Sequence, residues 1–185
     1  LSDSLVSLTK DSSFLKRDQF AMLKSYRLIP AKVVDNSIDK PGNLMTIDKG
    51  RAEGIHKDMG VVSGTGVVGI VYIVAEHYSI VIPVLNVKLA YLEDVPRHAH
   101  FKLGDYVVTS GYSAVFPPGV RVGKILHVFN SADGLSYRVQ LRLSTDFARL
   151  RDVCVIDDAA MKERLEILRA AQDSIKPDGS TGDNN

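Results

Sequence analysis

The sequence has little on which redox or covalent chemistry could rest. Cysteine occurs once, as Cys154, so no internal disulfide can form. Within Val153-Cys154-Val155-Ile156 it reads as a small buried apolar residue. An excess of one charge is also missing: 23 Lys and Arg face 22 Asp and Glu, for a net charge of +1. Affinity for nucleic acid comes largely from clustered cations that displace counterions, so this balance excludes a polyanion as the expected partner. Long apolar runs are absent too. Charge, glycine or proline breaks each one before it reaches the length that spans a bilayer. No signal peptide is visible and the first residue is Leu1 rather than Met, so the sequence reads as a fragment whose natural N-terminus lies upstream. What remains is ordinary globular material, 45% hydrophobic and 24% charged over 185 residues, enough for one domain or two small ones.

Two periodicities organise it. Leu1, Leu5, Leu8, Ser12, Leu15, Gln19, Met22 and Tyr26 recur in steps of four and three, the a/d spacing of a coiled-coil seam. Asp3, Lys10, Asp11, Lys16, Arg17, Asp18 and Lys24 solvate the other faces. An amphipathic helix lying on its own domain demands a similar stripe. The spacing predicts a self-associating helix over 1–28 through Leu1, Leu5, Leu8, Leu15, Met22 and Tyr26, weakest at Asp11-Ser12-Ser13. Pro30 ends it by pushing Leu28-Ile29 towards extended backbone.

From residue 31 the period shortens to two. Strands are expected at 31–35, 44–48, 61–63, 67–74, 80–85, 90–95, 106–110, 121–129, 137–144 and 153–156. Between 137 and 143, Val139, Leu141 and Leu143 alternate with Arg138, Gln140 and Arg142. With Ala132-Asp133-Gly134 as the turn, 122–129 and 137–143 make a hairpin. An internal echo links Lys57-Asp58-Met59-Gly60-Val61-Val62-Ser63-Gly64 to Leu103-Gly104-Asp105-Tyr106-Val107-Val108-Thr109-Ser110-Gly111. Val68-Gly69-Ile70-Val71 and Val122-Gly123-Lys124-Ile125 follow the two copies in turn. One duplicated barrel-like unit accounts for both, with the glycines supplying left-handed backbone or sharp bends at barrel corners. A last helix is expected over 158–174, with Met161, Leu165 and Leu168 on one face. The polar run after Pro177 has nothing to bury.

The fold class is therefore mainly β. A coiled-coil helix (1–28) leads into a first small six-stranded-type barrel (29–86), open to completion by later strands. A second barrel (87–158) and a C-terminal helix with tail (159–185) follow.

Several segments, taken in order, resemble one family. They are Thr46-Ile47-Asp48-Lys49-Gly50 with Glu53-Gly54-Ile55, then Val61-Val62 with Gly64-Thr65-Gly66-Val67-Val68-Gly69. Gly104-Asp105-Tyr106-Val107-Val108-Thr109-Ser110-Gly111 follows, with Phe116-Pro117-Pro118-Gly119 and Val122-Gly123. Together, behind a heptad helix, they are similar to the MreC family of rod shape-determining proteins over almost the whole chain. The resemblance implies a non-enzymatic scaffold of the cell-elongation machinery, anchored by a single membrane pass, with two small barrels facing the periplasm. It implies partners as well: further copies of the chain, a penicillin-binding transpeptidase, a polytopic membrane protein and, indirectly, the actin-like cytoskeleton. One departure stands out. Family members carry a further strand or two between the regions of Asn86-Val87-Lys88 and Tyr91-Leu92-Glu93-Asp94, which here nearly abut. Either the chain is shortened there or a segment is absent from the sequence. The second is favoured, because removing strands exposes an unpaired sheet edge.

The family's barrels are likened to the chymotrypsin-like fold, so hydrolase chemistry is the alternative. His56, His77, His98, His100 and His127 are the candidate bases, Ser63 and Ser110 the nucleophiles, and Asp58, Asp94 and Asp105 the orienting carboxylates. No Gly-x-Ser-x-Gly elbow occurs, and Ser63-Gly64 and Ser110-Gly111 read as strand-ending turns. His98-x-His100 is half a zinc site at most, without a further ligand at chelating spacing. Gly64-x-Gly66-x-x-Gly69 matches the dinucleotide fingerprint but precedes a β-branched run instead of a helix. No cofactor is expected. A periplasmic transport adaptor, the remaining alternative, calls for a second, returning heptad helix that is not visible. The expected partner surface is apolar: Tyr112, Val115 and Phe116 in a loop between strands, with Tyr78 beside His77.

Overall fold

The β-branched runs fold as strands wherever the two-residue period runs. In the computed structural model the described residues are 6–9, 23–37, 43–84, 89–112 and 115–175. They form β1 (Val6–Thr9), β2 (Arg27–Asn36), β3 (Met45–Ile47), β4 (Gly60–Ser63), β5 (Gly66–Val74) and β6 (Ser79–Pro83). β7 (Leu89–Pro96), β8 (Tyr106–Thr109), β9 (Arg121–Asn130), β10 (Ser136–Leu143), β11 (Asp152–Asp157) and helix α1 (Ala159–Ile175) follow. Each of the ten expected strands overlaps one of β2 to β11. The C-terminal helix also forms, opened by Asp158, whose Oδ1 accepts from the Ala160 amide at 2.9 Å.

Six strands close into a barrel in the order β11-β2-β3-β6-β5-β4. β11, which the sequence reading places in the second unit, completes the first: it pairs with β2 on one side and β4 on the other. The remaining strands form a five-stranded sheet, β1-β8-β9-β10-β7, which stays open among the described residues. The expectation of two six-stranded barrels is thus corrected to one closed barrel and one open sheet. With β11 taken by the first barrel, the second unit has five strands among the described residues.

The N-terminal segment brings a second correction. Val6–Thr9 lies inside the expected heptad helix, yet it pairs antiparallel with β8 from Val6↔Thr109 to Thr9↔Tyr106. Val-Ser-Leu-Thr suits a strand as well as a helical turn, and the edge of β8 offers this stretch backbone partners. Leu23 to Ser25 form a turn in which the Tyr26 amide donates to Leu23 O at 2.9 Å. Leu23 is buried, and Tyr26 packs against the same core. Of the expected seam, Leu8 therefore belongs to β1 and Tyr26 to the interior. Leu1, Leu5, Leu15 and Met22 lie outside the described residues, as do the 85–88 junction and the C-terminal tail.

Alternation places side chains in two cores that share walls. Ile29, Met45, Ile47, Ile55, Val61, Val68, Val71, Val81, Val153 and Val155 fill the closed barrel. On four of its strands the next residue points outward into the core of the sheet: Leu28, Val62, Val67 and Ile156 pack with Val107, Ile125, Val139 and Leu141. These barrel strands are buried on both faces, and the two units meet over an apolar seam. Polar contacts fasten it, including Thr145 Oγ1, which donates to Val67 O at 2.8 Å in the interior.

The internal echo is structural. β4 pairs with β5 so that Val61 faces Gly69, and β8 pairs with β9 so that Val107 faces Gly123; both ladders shift register at the next residue. Neither of these two glycines takes left-handed backbone, although Gly104 and Gly111 of the second copy do. A Cβ on Gly69 would stand 2.2 Å from Ile82 O, and one on Gly123 would stand 2.6 Å from Arg142 O. Each glycine clears space for the adjoining strand to cross close by.

Cys154 lies in β11 opposite Pro30 and Val62. Burial, reinforced by Asp152, pushes its thiol above the ordinary range. The fold thus favours the protonated form. That contribution is full below the ordinary thiol pKa and is lost as pH rises through the raised one. Iodoacetamide at pH 8 is expected to alkylate Cys154 ~10-fold more slowly than an unfolded control, as read by intact mass; equal rates would contradict its placement.

Candidate interaction surface

The loop from β8 to β9 is built around Thr109, which is buried at the end of β8. Its hydroxyl donates to Pro117 O at 2.6 Å and accepts from the Val120 amide at 2.9 Å. Its backbone oxygen takes the Gly119 amide at 2.8 Å. These bonds fold the loop back on the body. Phe116 ends 7% exposed and Val115 is half-buried against the seam core. The Phe116 ring lies 2.9 Å from where a Cβ on Gly60 of β4 would be. Two of the four expected contact residues thus serve the interior, because an apolar loop beside an apolar seam buries its own side chains first. Thr109→Val keeps the shape but strands Val120 N and Pro117 O. It is expected to cost about 1–3 kcal/mol in urea unfolding, whereas an unchanged midpoint would show that the loop does not depend on this hydroxyl.

Tyr112, in contrast, is left outside at 80% exposure. Tyr78 stands on the β5–β6 turn at 54% exposure. That turn is held by the Ala75 amide donating to Tyr78 O, and by the Arg51 and Ala52 amides donating to Ala75 O and Glu76 O. Both tyrosines are apolar bodies with a polar tip, presented by turns that are themselves well tied.

The candidate nucleophiles are used otherwise. Ser63 is buried and its hydroxyl is bonded to Thr65 Oγ1 and Gly66 O inside the β4–β5 turn. Ser110 Oγ accepts from the Tyr112 amide at 3.3 Å. All five histidines are exposed. His98 and His100 fall on the turn after β7 instead of an extended strand, and among the described residues no three His, Cys, Asp or Glu side chains gather as metal ligands. The Gly64-x-Gly66-x-x-Gly69 run is the β4–β5 hairpin, with strand where a nucleotide site needs helix.

A family model described as the barrel core of the rod shape-determining protein MreC matches residues 33–157, the span from β2 to the last residue of β11. The chain belongs to the MreC family. The cell shape-determining protein MreC of Listeria monocytogenes is 25% identical over 189 residues, covering 86% of this chain and 64% of that protein. The chain therefore spans less than two thirds of that relative's length. A solved structure of MreC from Listeria superposes with a TM-score of 0.65 at 24% identity, over 78% of this chain and 86% of the other. A solved complex between Penicillin-Binding Protein (PBP2) and MreC from Helicobacter pylori also matches. Its TM-score is 0.51 at 12% identity, over 71% of this chain and 99% of that one. At these identities the structural likenesses show the fold.

Proposed function

We propose that this chain is a non-enzymatic scaffold of the bacterial cell-elongation machinery, which self-associates and positions peptidoglycan-synthesis enzymes on the extracytoplasmic side of the inner membrane. The observation that carries the reading is membership of a shape-determining family, one of whose solved structures is a complex with a penicillin-binding protein. The commitment of Ser63 to its own turn supports binding over hydrolysis. In the whole protein a single membrane pass anchors the scaffold. The heptad residues Leu15 and Met22 join copies, and Tyr78 and Tyr112 meet partners, a penicillin-binding transpeptidase first among them. A polytopic membrane protein of the same machinery and, through it, the actin-like cytoskeleton complete the set.

The test is equilibrium binding of the chain to the extracytoplasmic part of the elongation transpeptidase from the same cell, by biolayer interferometry. Saturable binding that weakens ~10-fold in Tyr78→Ser/Tyr112→Ser supports the reading. No binding by a folded wild-type chain removes the transpeptidase from it. Binding unchanged in the double variant moves the contact away from the two tyrosines.

A further inference from the structure

The outward face of the open sheet carries a row of side chains that the scaffold reading does not use. Tyr106 of β8, Lys124 of β9, Arg142 of β10 and Leu89 of β7 stand in register, Tyr106↔Lys124, Lys124↔Arg142 and Arg142↔Leu89. Ile125, Leu141 and Ala90, their neighbours in sequence, are buried in the seam core. Alternation therefore turns the row away from the closed barrel. Lys124 and Arg142 are both exposed, and like charges directly opposite in a ladder repel. Lys124 Nζ lies 5.6 Å from the centre of the Tyr106 ring, and the Arg121 guanidinium lies 5.7 Å from it. Three cations thus gather about one ring.

Carboxylates do not balance the row. Asp105, next to Tyr106 in the chain, sets one negative charge against the three, and its Oδ2 accepts from the Lys102 amide at 2.8 Å. Further along the same face Arg138 is paired with Glu93 at 2.7 Å and lies 4.1 Å over the Tyr91 ring. Among the described residues neither Lys124 nor Arg142 has such an ion pair. The excess extends to the whole unit. Residues 89–151 hold eight Lys and Arg against five Asp and Glu, whereas the barrel segments 27–84 and 152–157 hold six against eight. A flat sheet face cannot enclose a small molecule. Cations interleaved with Tyr106, Leu89 and Tyr91, the last two 39% and 37% exposed, instead have the composition that rests at the level of lipid headgroups, with charge on phosphate and apolar bodies beside it. The path of the chain points the same way. β1 joins this sheet and not the barrel, with Thr9 opposite Tyr106, so the strand that follows the membrane pass in the proposed scaffold borders the row.

We propose that this face rests on an anionic lipid surface, with Arg121, Lys124 and Arg142 meeting headgroup phosphates and Tyr106 and Leu89 seated between them. The proposal rests on the anchored-scaffold reading for the nearness of a membrane and goes beyond it in giving the sheet a lipid contact of its own. The test is co-sedimentation of the whole chain with vesicles of phosphatidylcholine alone and of phosphatidylcholine with about one phosphatidylglycerol in three lipids, beside Lys124→Gln/Arg142→Gln. Both side chains are exposed and repel, so the variant is expected to melt no lower than wild type. Wild type is expected to bind the anionic vesicles, to leave them at high salt, and not to bind the zwitterionic ones. The variant is expected to bind the anionic vesicles ~30-fold more weakly, about fivefold for each charge removed. Equal partition of wild type onto both kinds of vesicle, or onto neither, overturns the proposal. Anionic binding unchanged in the folded variant overturns this face as the contact. Displacement by inorganic phosphate beyond that by sodium chloride at equal ionic strength would mark a site for free phosphate in place of a lipid surface, and overturns it too. Transpeptidase binding is read in its own assay, so each of these failures leaves the scaffold reading standing.

Discussion

Gly69→Ala is expected to lower the unfolding free energy by about 3 kcal/mol, the upper part of the usual cost of overpacking. The added methyl carbon would lie 2.2 Å from Ile82 O and 2.9 Å from the carbonyl carbon. Both are backbone atoms of β6, hydrogen-bonded in the ladder to β5. A side chain could rotate away, but a strand can retreat only by breaking its pairing, and closure of the barrel depends on β5 and β6 staying paired. The same substitution at Gly123 meets Arg142 O at 2.6 Å in the open sheet and is expected to be damaging for the same reason. Urea unfolding followed by far-UV circular dichroism reads both. A change within ~0.5 kcal/mol, the ordinary range for harmless substitutions, would mean that the strands do not approach as closely as described.

Phe116→Ala carries the second large effect, a loss of about 3–5 kcal/mol. The ring is a loop residue by sequence and a core residue by position, packed against β4 of the closed barrel and clustered with Val107, Val120 and Val122 of the sheet. Its removal opens a void in the seam between the two units. The measurable consequence goes beyond a lower midpoint, because the barrel and the sheet should begin to unfold separately. Calorimetry is expected to show a single transition for wild type and a broadened or double one for the variant. A single sharp transition shifted by less than about 1 kcal/mol would indicate that the seam does not depend on this residue.

Local pattern revealed the strands and hid their partners. The alternation of Val139, Leu141 and Leu143, the Asp133-Gly134 turn and the duplicated Val-Val runs at 61–62 and 107–108 depend on neighbours a few residues apart, so β9, β10 and the paired hairpins were legible. Barrel closure depends on Asp157 meeting Arg27 and Val155 meeting Val61, and no short-range signal carries a contact across that many residues. The Leu8 misreading has a physical cause as well. Val-Ser-Leu-Thr suits a strand as well as a helical turn, and the free edge of β8 decides between them.

The surfaces divide in the same way. An apolar loop at 112–118 was visible as unusual, but only the seam explains why Phe116 turns inward while Tyr112 stays out. On the open sheet, Leu103 comes beside His127 and Phe129 because the loop after β7 folds against β9, a contact that no short-range pattern carries. Identity came from the order of weak motifs, and the family match over 33–157 bears out that order.

Self-association through the heptad segment is the part of the proposed scaffold role that one experiment can decide. Sedimentation equilibrium on the whole chain, beside Leu15→Glu/Met22→Glu, tests this most directly, since both positions belong to the expected heptad spacing and neither falls in β1 or a barrel strand. The account predicts a wild-type dimer that falls to monomer in the variant. A wild-type chain that is monomeric at every concentration, or a dimer indifferent to both substitutions, would contradict assembly through the heptad segment.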